Sequence, residues 1–212
     1  MKPRSFNPLD YASLAKSLER ELMACELVPL ANVDKFYGDG VYALFYTGSF
    51  APYAQMSRVN QKSPGVLPIY IGKASPQTLK GASFDSANID TPAAGHRLYT
   101  RINRDHRASI QSAENLDVAD FSCKILVLNA VWVALAESAL IGAYAPVWNG
   151  TIDGFGNHDP GKGRAAGRIS RWDVLHPGRG RETSAEVPFS AEGLAQEVRA
   201  DIAMRVDILG IA

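Results

Sequence analysis

The sequence predicts an α+β fold in which a small sheet of about three strands is flanked by helices. Three short segments rich in β-branched and aromatic residues predict the strands. Longer segments with apolar residues at helical spacing lie before, between and after them. The chain has 212 residues, 46% of them hydrophobic and 21% charged, which is enough to bury one core. We therefore expect a single domain over residues 1–212.

An N-terminal helical arm, residues 1–37, is the first expected element. Pro8 follows Asn7 and Asp10 lies in the first turn, a combination that is typical of a helix start. Apolar residues then recur every four positions, at Leu14, Leu18 and Leu22. This spacing predicts an amphipathic helix that ends near Ala24.

The strands belong to the expected core, residues 38–150. GVYALFYTG at 40–48 and LPIYIGK at 67–73 predict the first two strands. The segment between them, 49–66, is polar and is interrupted by prolines and a glycine, so we expect a long inserted loop. In ADFSCKILVLN at 119–129 the apolar residues alternate, which predicts the third strand.

Helices are expected on both sides of the third strand and near the end of the chain. HRLYTRINRDHRASI at 96–110 can be helical, and VWVALAESALIGAY at 131–144 is an apolar helix with one acid inside it, Glu137. In residues 151–212 we expect a basic, Gly-rich irregular loop and then an amphipathic helix over 191–208.

The charges balance overall but are unevenly distributed. Lys plus Arg equals Asp plus Glu at 22 each, which argues against a protein that coats nucleic acid without specificity. Basic residues cluster in two segments, 96–107 and 161–181. The clusters indicate either a basic face or a set of solvated loops and helix faces.

Several other classes of protein are disfavoured. No apolar run follows Met1, and no stretch reaches the ~20 residues of a membrane span. Cys25 and Cys123 lack metal-ligand spacing, so two reduced thiols are expected rather than a disulfide or a zinc site. IGKAS at 71–75 lacks the first glycine of a phosphate-binding loop. We expect a cytoplasmic protein with no membrane partner.

The remaining polar side chains suit hydrolysis of a phosphodiester. Mg²⁺ is typically held by one or two carboxylates together with phosphate oxygens and waters, so Glu137 can suffice as its protein ligand. An arginine pairs with phosphate oxygens, and Arg101 is the candidate. Tyr42 or Tyr70 can deprotonate water only if Lys73, an arginine or the metal stabilises the phenolate. Alternatively, both tyrosines simply cover a face of the sheet.

The order of these residues resembles that of the GIY-YIG nuclease superfamily. GVY at 40–42, YIG at 70–72, an arginine in the next helix, a helical glutamate and a downstream asparagine follow one another as in its catalytic core. Further segments, among them LPIYIGKA, ESALIGAYAPVWN and DGFGNHDPGKGR, look like the type II restriction endonucleases of this superfamily that cut CCGCGG. The resemblance implies an antiparallel sheet, Mg²⁺ as the cofactor and site-specific hydrolysis of double-stranded DNA.

The resemblance also implies roles for individual residues. Tyr42 would be the general base, and Tyr70 its hydrogen-bonding neighbour beside the attacking water. Arg101 would bind the scissile phosphate and Glu137 would hold the metal. Asn149 would be a supporting polar group near the site.

His106 departs from the pattern of the superfamily by one residue. It follows Arg101 by five positions where four are expected, and Asp105 occupies the fourth. Either the helix carries a one-residue insertion of the π type, which is frequent at functional sites, or His106 is not the family histidine.

Basic side chains are the expected DNA contacts, because arginine and lysine bind phosphates and read guanine edges. The alternative for those in the helix is a solvated face. The inserted loop 49–66 is a further candidate for DNA contact. The basic candidates are Lys73, Arg104, Arg107, Lys162, Arg164 and Arg168.

A palindromic site implies a two-fold protein, so a homodimer is expected, with the N-terminal or the C-terminal helix at its contact. A cognate DNA methyltransferase would be the genetic partner, since an unprotected host would be cut. Two alternatives stay open. One is a repair or homing nuclease of the same superfamily, which would be expected to carry a further binding module. The other is a non-catalytic DNA-binding protein on the same fold.

Overall fold

The computed structural model describes residues 11–75, 95–156, 169–180 and 187–211. Its centre is a four-stranded antiparallel sheet with the strand order β1-β4-β2-β3. The strands are β1 (Val28–Pro29), β2 (Asp39–Tyr46), β3 (Pro68–Ala74) and β4 (Phe121–Leu128). The predicted α+β fold with a small antiparallel sheet is confirmed. Strand β1 was not anticipated, because two residues are too few to show a periodicity.

Strand β2 is the centre of the fold. All of its residues are buried, because strands pair with it on both edges and helices cover both of its faces. Successive side chains point to opposite faces of a strand. Val41 and Phe45 therefore pack in one hydrophobic cluster, and Tyr42 and Leu44 pack in the other. The tyrosine of the GVY motif thus faces the larger cluster.

The helices begin and end where side-chain chemistry favours it. Asn129 accepts a hydrogen bond from the amide of Val131 at the start of α5, and Ser190 accepts one from Gly193 at the start of α7. Gly210, with φ of +62°, ends α7 in the left-handed conformation that glycine favours. The helices are α1 (Tyr11–Ala24), α2 (Ala54–Lys62), α3 (Arg97–Thr100), α4 (Arg107–Ser112), α5 (Ala130–Tyr144), α6 (Arg171–Leu175) and α7 (Ala191–Leu209).

Segment 49–66 differs from the loop that we predicted, because most of it is helical. A 3₁₀ turn over Ala51–Tyr53 leads directly into α2. The buried side chain of Asn60 accepts a hydrogen bond from the amide of Leu67 at 3.0 Å and donates one to its carbonyl at 2.9 Å. The polar residues that indicated a loop therefore include one that satisfies backbone groups inside the fold.

The stretch that we expected to be irregular after the core also contains a helix, α6. Its N-cap is Ser170, whose hydroxyl accepts a hydrogen bond from the amide of Asp173. Trp172 in this helix has no exposed surface and packs edge-on against Trp148. The short helix was missed because glycines and charges around it hide its apolar residues.

Two expectations about the chain as a whole can be compared with the structure. Neither Cys25 nor Cys123 forms a disulfide, as predicted. In the part of the chain that the structure describes, no helix combines the length and apolar character needed to cross a membrane.

Candidate active site

The two motif tyrosines lie on neighbouring strands and on the same face of the sheet. Gly72 of β3 is the register partner of Tyr42 on β2, and Tyr70 is the partner of Leu44. The rings of Tyr42 and Tyr70 have their centroids 6.1 Å apart. A Cβ atom on Gly72 would lie 2.4 Å from the hydroxyl oxygen of Tyr42. The glycine of the YIG motif therefore leaves the space that the first tyrosine fills.

A π-helical turn over Arg101–His106 connects α3 to α4. A π-helix closes its hydrogen bonds over five residues rather than four, so side chains five positions apart lie on one face. Arg101 and His106 consequently lie on the same side of the helix, and His106 Nε2 forms a hydrogen bond with the hydroxyl of Tyr42. Of the two alternatives for the five-residue spacing, the π-type insertion is present, and it brings the histidine to the tyrosine.

His106 is enclosed by aromatic rings. It has 1% of its surface exposed and stacks on Phe155, with ring centroids 4.6 Å apart and planes at 22°. Phe155 also meets the ring of Tyr70 edge-on at 4.9 Å. These contacts fix the imidazole plane, so its Nε2 atom stays directed at Tyr42.

Arg101 is held at the opening of the site by two contacts. One terminal nitrogen donates to Asp105 Oδ2 at 3.0 Å, and the other donates to the carbonyl of Gly156 at 2.6 Å. A Cβ atom on Gly156 would lie 2.7 Å from the hydroxyl of Tyr70, so glycine is needed for this close approach. The guanidinium is thereby kept next to both tyrosines.

The pKa values of both tyrosines are raised, mainly because burial disfavours the phenolate. The pKa of Tyr42 lies well above its ordinary value, and the charge of its neighbour Arg101 acts in the opposite direction. The pKa of Tyr70 is raised less, with burial again the main cause and Arg101 again opposing it. Tyr42 has no exposed surface, whereas 9% of Tyr70 is exposed. Both tyrosines are therefore protonated phenols at neutral pH.

Glu137 of α5 faces Lys73 of β3 across the opening of the site. Lys73 Nζ lies 2.6 Å from Glu137 Oε2, and the two side chains are 39% and 22% exposed. An acid in an otherwise apolar helix requires a partner of opposite charge, and Lys73 is that partner. The pair lies on the wall of a cleft of about 540 Å³, which is also lined by Tyr70, Arg101, His96 and Arg97.

Asn149 supports the site through the backbone of β3. Its Oδ1 atom accepts a hydrogen bond from the amide of Ile71 at 2.8 Å, and its Nδ2 atom donates to the carbonyl of the same residue at 2.8 Å. Strand β3 is an edge strand, so these two backbone groups have no neighbouring strand on that side. The side chain of Asn149 thus fixes the strand between Tyr70 and Gly72.

The predicted DNA contacts fall into three groups. Lys73 lines the cleft, and Arg104 is exposed on the π-helical turn. Arg107 is half-buried and donates to the carbonyl of Ala31 at 3.2 Å, away from the lining of the cleft. Lys162, Arg164 and Arg168 lie outside the described residues.

From the sequence, the loop DGFGNHDPGKGR that contains Phe155 and Gly156 was interpreted as either a flexible connection or a segment that reads a DNA groove, and neither residue was given a part in the active site. Arg179 holds this loop by donating to the carbonyls of Gly154 and Phe155, each at 3.1 Å, while its Nε atom is 2.7 Å from Asp173. The side chains of Arg179 and Asp173 are almost fully buried. The only signal in the sequence was the pair of glycines in DGFG, which indicates a close approach without saying to what.

The residues of the cleft fit a single divalent cation. The described residues contain no group of three or more His, Cys, Asp and Glu side chains that could enclose a metal ion. Mg²⁺ at phosphate-processing sites is held by one or two carboxylates, with waters and phosphate oxygens completing its shell. Glu137 offers such a carboxylate on the cleft wall and already faces one cation, the ammonium of Lys73.

A comparison with known families accounts for this arrangement. The family described as the Eco29kI GIY-YIG domain matches residues 34–203. No curated protein matches the chain. A nuclease domain of this kind acts on DNA and generally uses a divalent metal ion. Since the match spans most of the chain and includes every described residue of the cleft, the chain belongs to the Eco29kI GIY-YIG family of restriction endonucleases and is a site-specific DNA endonuclease.

Proposed function

We propose that the chain is a type II restriction enzyme that hydrolyses double-stranded DNA at a GC-rich palindrome, CCGCGG, with Mg²⁺ as its metal ion. The observation that carries the proposal is that three separate elements of the fold bring Arg101 and Glu137 to the wall of one cleft and the bonded pair of Tyr42 and His106 behind it. The proposed CCGCGG site is supported by segments such as ESALIGAYAPVWN and DGFGNHDPGKGR, which resemble those of restriction endonucleases that cut this sequence.

Arg101 and Lys73 are the residues that bind the scissile phosphate. Both line the cleft, and both carry a positive charge next to the proposed reaction centre. The planar guanidinium of Arg101 can donate to two phosphate oxygens at once, and it offsets the negative charge that develops as water attacks phosphorus. Lys73 supplies a second charge when the phosphate competes with Glu137 for its ammonium group.

The base is the Tyr42–His106 pair rather than a tyrosine alone. Burial keeps the pKa of Tyr42 well above neutral, so a pre-formed phenolate is disfavoured. The hydrogen bond from its hydroxyl to His106 Nε2 removes the need for one. As the water on the cleft side gives a proton to the phenol oxygen, Tyr42 gives its own proton to His106. The hydroxide formed attacks phosphorus, and the ester bond to the leaving sugar oxygen breaks. That oxygen takes a proton from water, and the proton on His106 returns through Tyr42 to water.

Tyr70 and Asn149 position the reacting groups. Tyr70 lines the cleft directly in front of Tyr42, where its hydroxyl can hold the attacking water. Asn149 fixes the strand that carries Tyr70. Glu137 would hold Mg²⁺, which when bound polarises a phosphate oxygen and offsets negative charge.

A homodimer is the expected assembly, because each half of a palindrome presents the same surface to one protomer. The other DNA contacts that we propose are Arg104, Arg107, Lys162, Arg164 and Arg168, which would bind phosphates or guanine edges. A cognate methyltransferase would protect the host DNA at the same sequence.

The experiment that tests this function is cleavage of a plasmid with one CCGCGG site, in the presence of Mg²⁺. A plasmid without the site and the variant Glu137→Ala are the controls. We expect linear product only from the plasmid with the site and only from the enzyme that retains Glu137. Cutting of both plasmids would contradict the proposed specificity. Retained binding without cutting by the unaltered chain would contradict the proposed catalysis.

A further inference from the structure

An exposed aromatic platform lies at one end of the active-site cleft. Tyr37 precedes β2 and has 62% of its surface exposed. Its ring lies against His96, with centroids 3.9 Å apart and planes at 33°. We refer to Tyr37, His96 and Arg97 as the rim platform.

The rim platform is rigid because the residues behind it are anchored. His96 Nδ1 donates a hydrogen bond to the carbonyl of Phe36 at 2.5 Å. The guanidinium of Arg97 donates to both carboxylate oxygens of Asp39, at 2.8 and 2.9 Å, and Asp39 has no exposed surface. The amide of Gly38 also donates to the carbonyl of Gly95 at 2.8 Å. The two chain segments that form the platform are therefore joined through backbone and side chains.

The rim platform is continuous with the reaction centre. His96 and Arg97 line the same cleft as Tyr70, Arg101 and Glu137. Arg97 precedes Arg101 by four residues, or about one helical turn, so the two guanidinium groups lie along the same wall of the cleft. A strand of DNA whose phosphate contacts Arg101 would continue toward Arg97 and Tyr37.

We propose that the rim platform binds the nucleotide next to the scissile phosphate in the cleaved strand. The exposed ring of Tyr37 packs against the sugar of that nucleotide, since contacts to phosphate and sugar position a protein on duplex DNA without reading its sequence. Asp39 uses two of the five N–H groups of Arg97, and the guanidinium directs others to the phosphate of the same nucleotide. The inference rests on the proposed function, because it requires DNA in the cleft.

The test compares three variants for binding to duplex DNA with one CCGCGG site in metal-free buffer. Tyr37→Ala removes the ring, Tyr37→Phe retains it, and Val131→Ala shortens an exposed apolar side chain, 46% exposed, at the start of α5 and outside the lining of the cleft. We expect Tyr37→Ala to raise Kd about tenfold, as for loss of an aromatic side chain that anchors an interface. Tyr37→Phe and Val131→Ala should stay within about twofold of the unaltered chain.

Two further readouts separate a DNA contact from a general defect. The slope of log Kd against log salt concentration should be unchanged in Tyr37→Ala, because no charge is removed. Tm and gel-filtration volume should also be unchanged, since the ring is mostly exposed. A Kd for Tyr37→Ala within twofold of the unaltered chain would overturn the inference, and so would an equal loss in Val131→Ala. If the unaltered chain neither binds nor cuts the DNA, the proposed function fails and the platform fails with it.

Discussion

Two tyrosine–histidine pairs lie buried in the described part of the chain, and they differ in what surrounds them. In the site pair, the hydroxyl of Tyr42 bonds to His106 Nε2. In the core pair, the hydroxyl of Tyr53 bonds to His176 Nε2 at 2.5 Å. All four side chains have 1% or less of their surface exposed. The same two residue types and the same atoms therefore serve in both places.

Each member of the core pair forms a further hydrogen bond with a neighbouring side chain. Trp148 donates to the hydroxyl of Tyr53 at 2.8 Å, and His176 Nδ1 donates to Asn115 Oδ1 at 2.8 Å. Burial, together with the positive charge of Arg179, lowers the pKa of His176 to about 3. The imidazole is thus a neutral structural group that follows α6, and its hydrogen bonds join it to the 3₁₀ turn before α2 and to the segment before β4.

The site pair lies directly behind a cleft that is lined by positively charged side chains. Arg101 contacts its tyrosine side, and Tyr70 separates it from the open space. The comparison shows that a buried tyrosine–histidine pair is not itself a sign of catalysis. We infer that a neighbouring guanidinium and a cleft directly in front of the tyrosine turn such a pair into a base. Groups around the site pair should therefore control the cleavage rate, and groups around the core pair should control stability.

Among the groups that surround the two pairs, the largest expected effect is on the guanidinium beside the site pair. Arg101→Lys keeps a positive charge near Asp105 but loses the planar fork that matches two phosphate oxygens. We expect the single-turnover cleavage rate to fall by roughly 10²–10³, the usual cost of removing one donor to a developing charge. Tm should change little. An unchanged rate would mean that Arg101 does not bind the scissile phosphate.

The core pair should impose a pH dependence on stability. The pKa of His176 is lowered in the folded chain, so below pH ~6.5 the unfolded chain binds a proton that the folded chain does not. The contribution of His176 to the free energy of unfolding is fully present above that pH. It falls by about 1.4 kcal/mol per pH unit as the pH decreases toward 3. Urea unfolding at pH 7 and pH 5 should show a loss of about 2 kcal/mol from this source.

A variant of the same residue provides the control for that pH dependence. His176→Gln keeps an amide donor and acceptor but does not titrate, so it should be less stable at pH 7 and lose less on going to pH 5. If both proteins lose the same free energy of unfolding, His176 does not carry the pH dependence.

The smallest expected effect concerns the strand that carries Tyr70. Asn149→Ala removes the hydrogen bonds to both backbone groups of Ile71. We expect a loss of about 1–2 kcal/mol in the free energy of unfolding, at about 1 kcal/mol for each hydrogen bond. The cleavage rate should fall several-fold as the strand loosens. A drop as large as that of Arg101→Lys would mean that Asn149 acts on the reaction directly.

The sequence predicted those features that depend on local patterns. Segments rich in β-branched and aromatic residues predicted β2 and β3, and alternating apolar residues predicted β4. The isolated acid in an apolar helix singled out Glu137, which lies on the wall of the cleft. The five-residue spacing from Arg101 to His106 left two alternatives open, and the structure contains the π-type turn.

Features that depend on distant contacts could not be predicted. Tyr53 and His176 are 123 positions apart, so nothing local indicates that they form a pair. Asn60 reads as a loop residue, although its amide satisfies backbone groups inside the fold. Phe155 stacks on His106, and Arg179, which lies beyond α6, holds the backbone of Phe155 in place by donating to its carbonyl.

The most direct test of the account compares Tyr42→Phe with Tyr53→Phe. Each variant removes one buried hydroxyl bonded to a histidine, so the two are matched. In single-turnover cleavage of DNA with one CCGCGG site, we expect Tyr42→Phe to be slower by roughly 10²–10⁴, the range for loss of a general base. Tyr53→Phe should cleave within a few-fold of the unaltered chain while losing about 1–3 kcal/mol in the free energy of unfolding, because Trp148 and His176 lose a partner. An unaltered rate in Tyr42→Phe, or an equal loss of rate in folded Tyr53→Phe, would contradict the assignment of the base to the site pair.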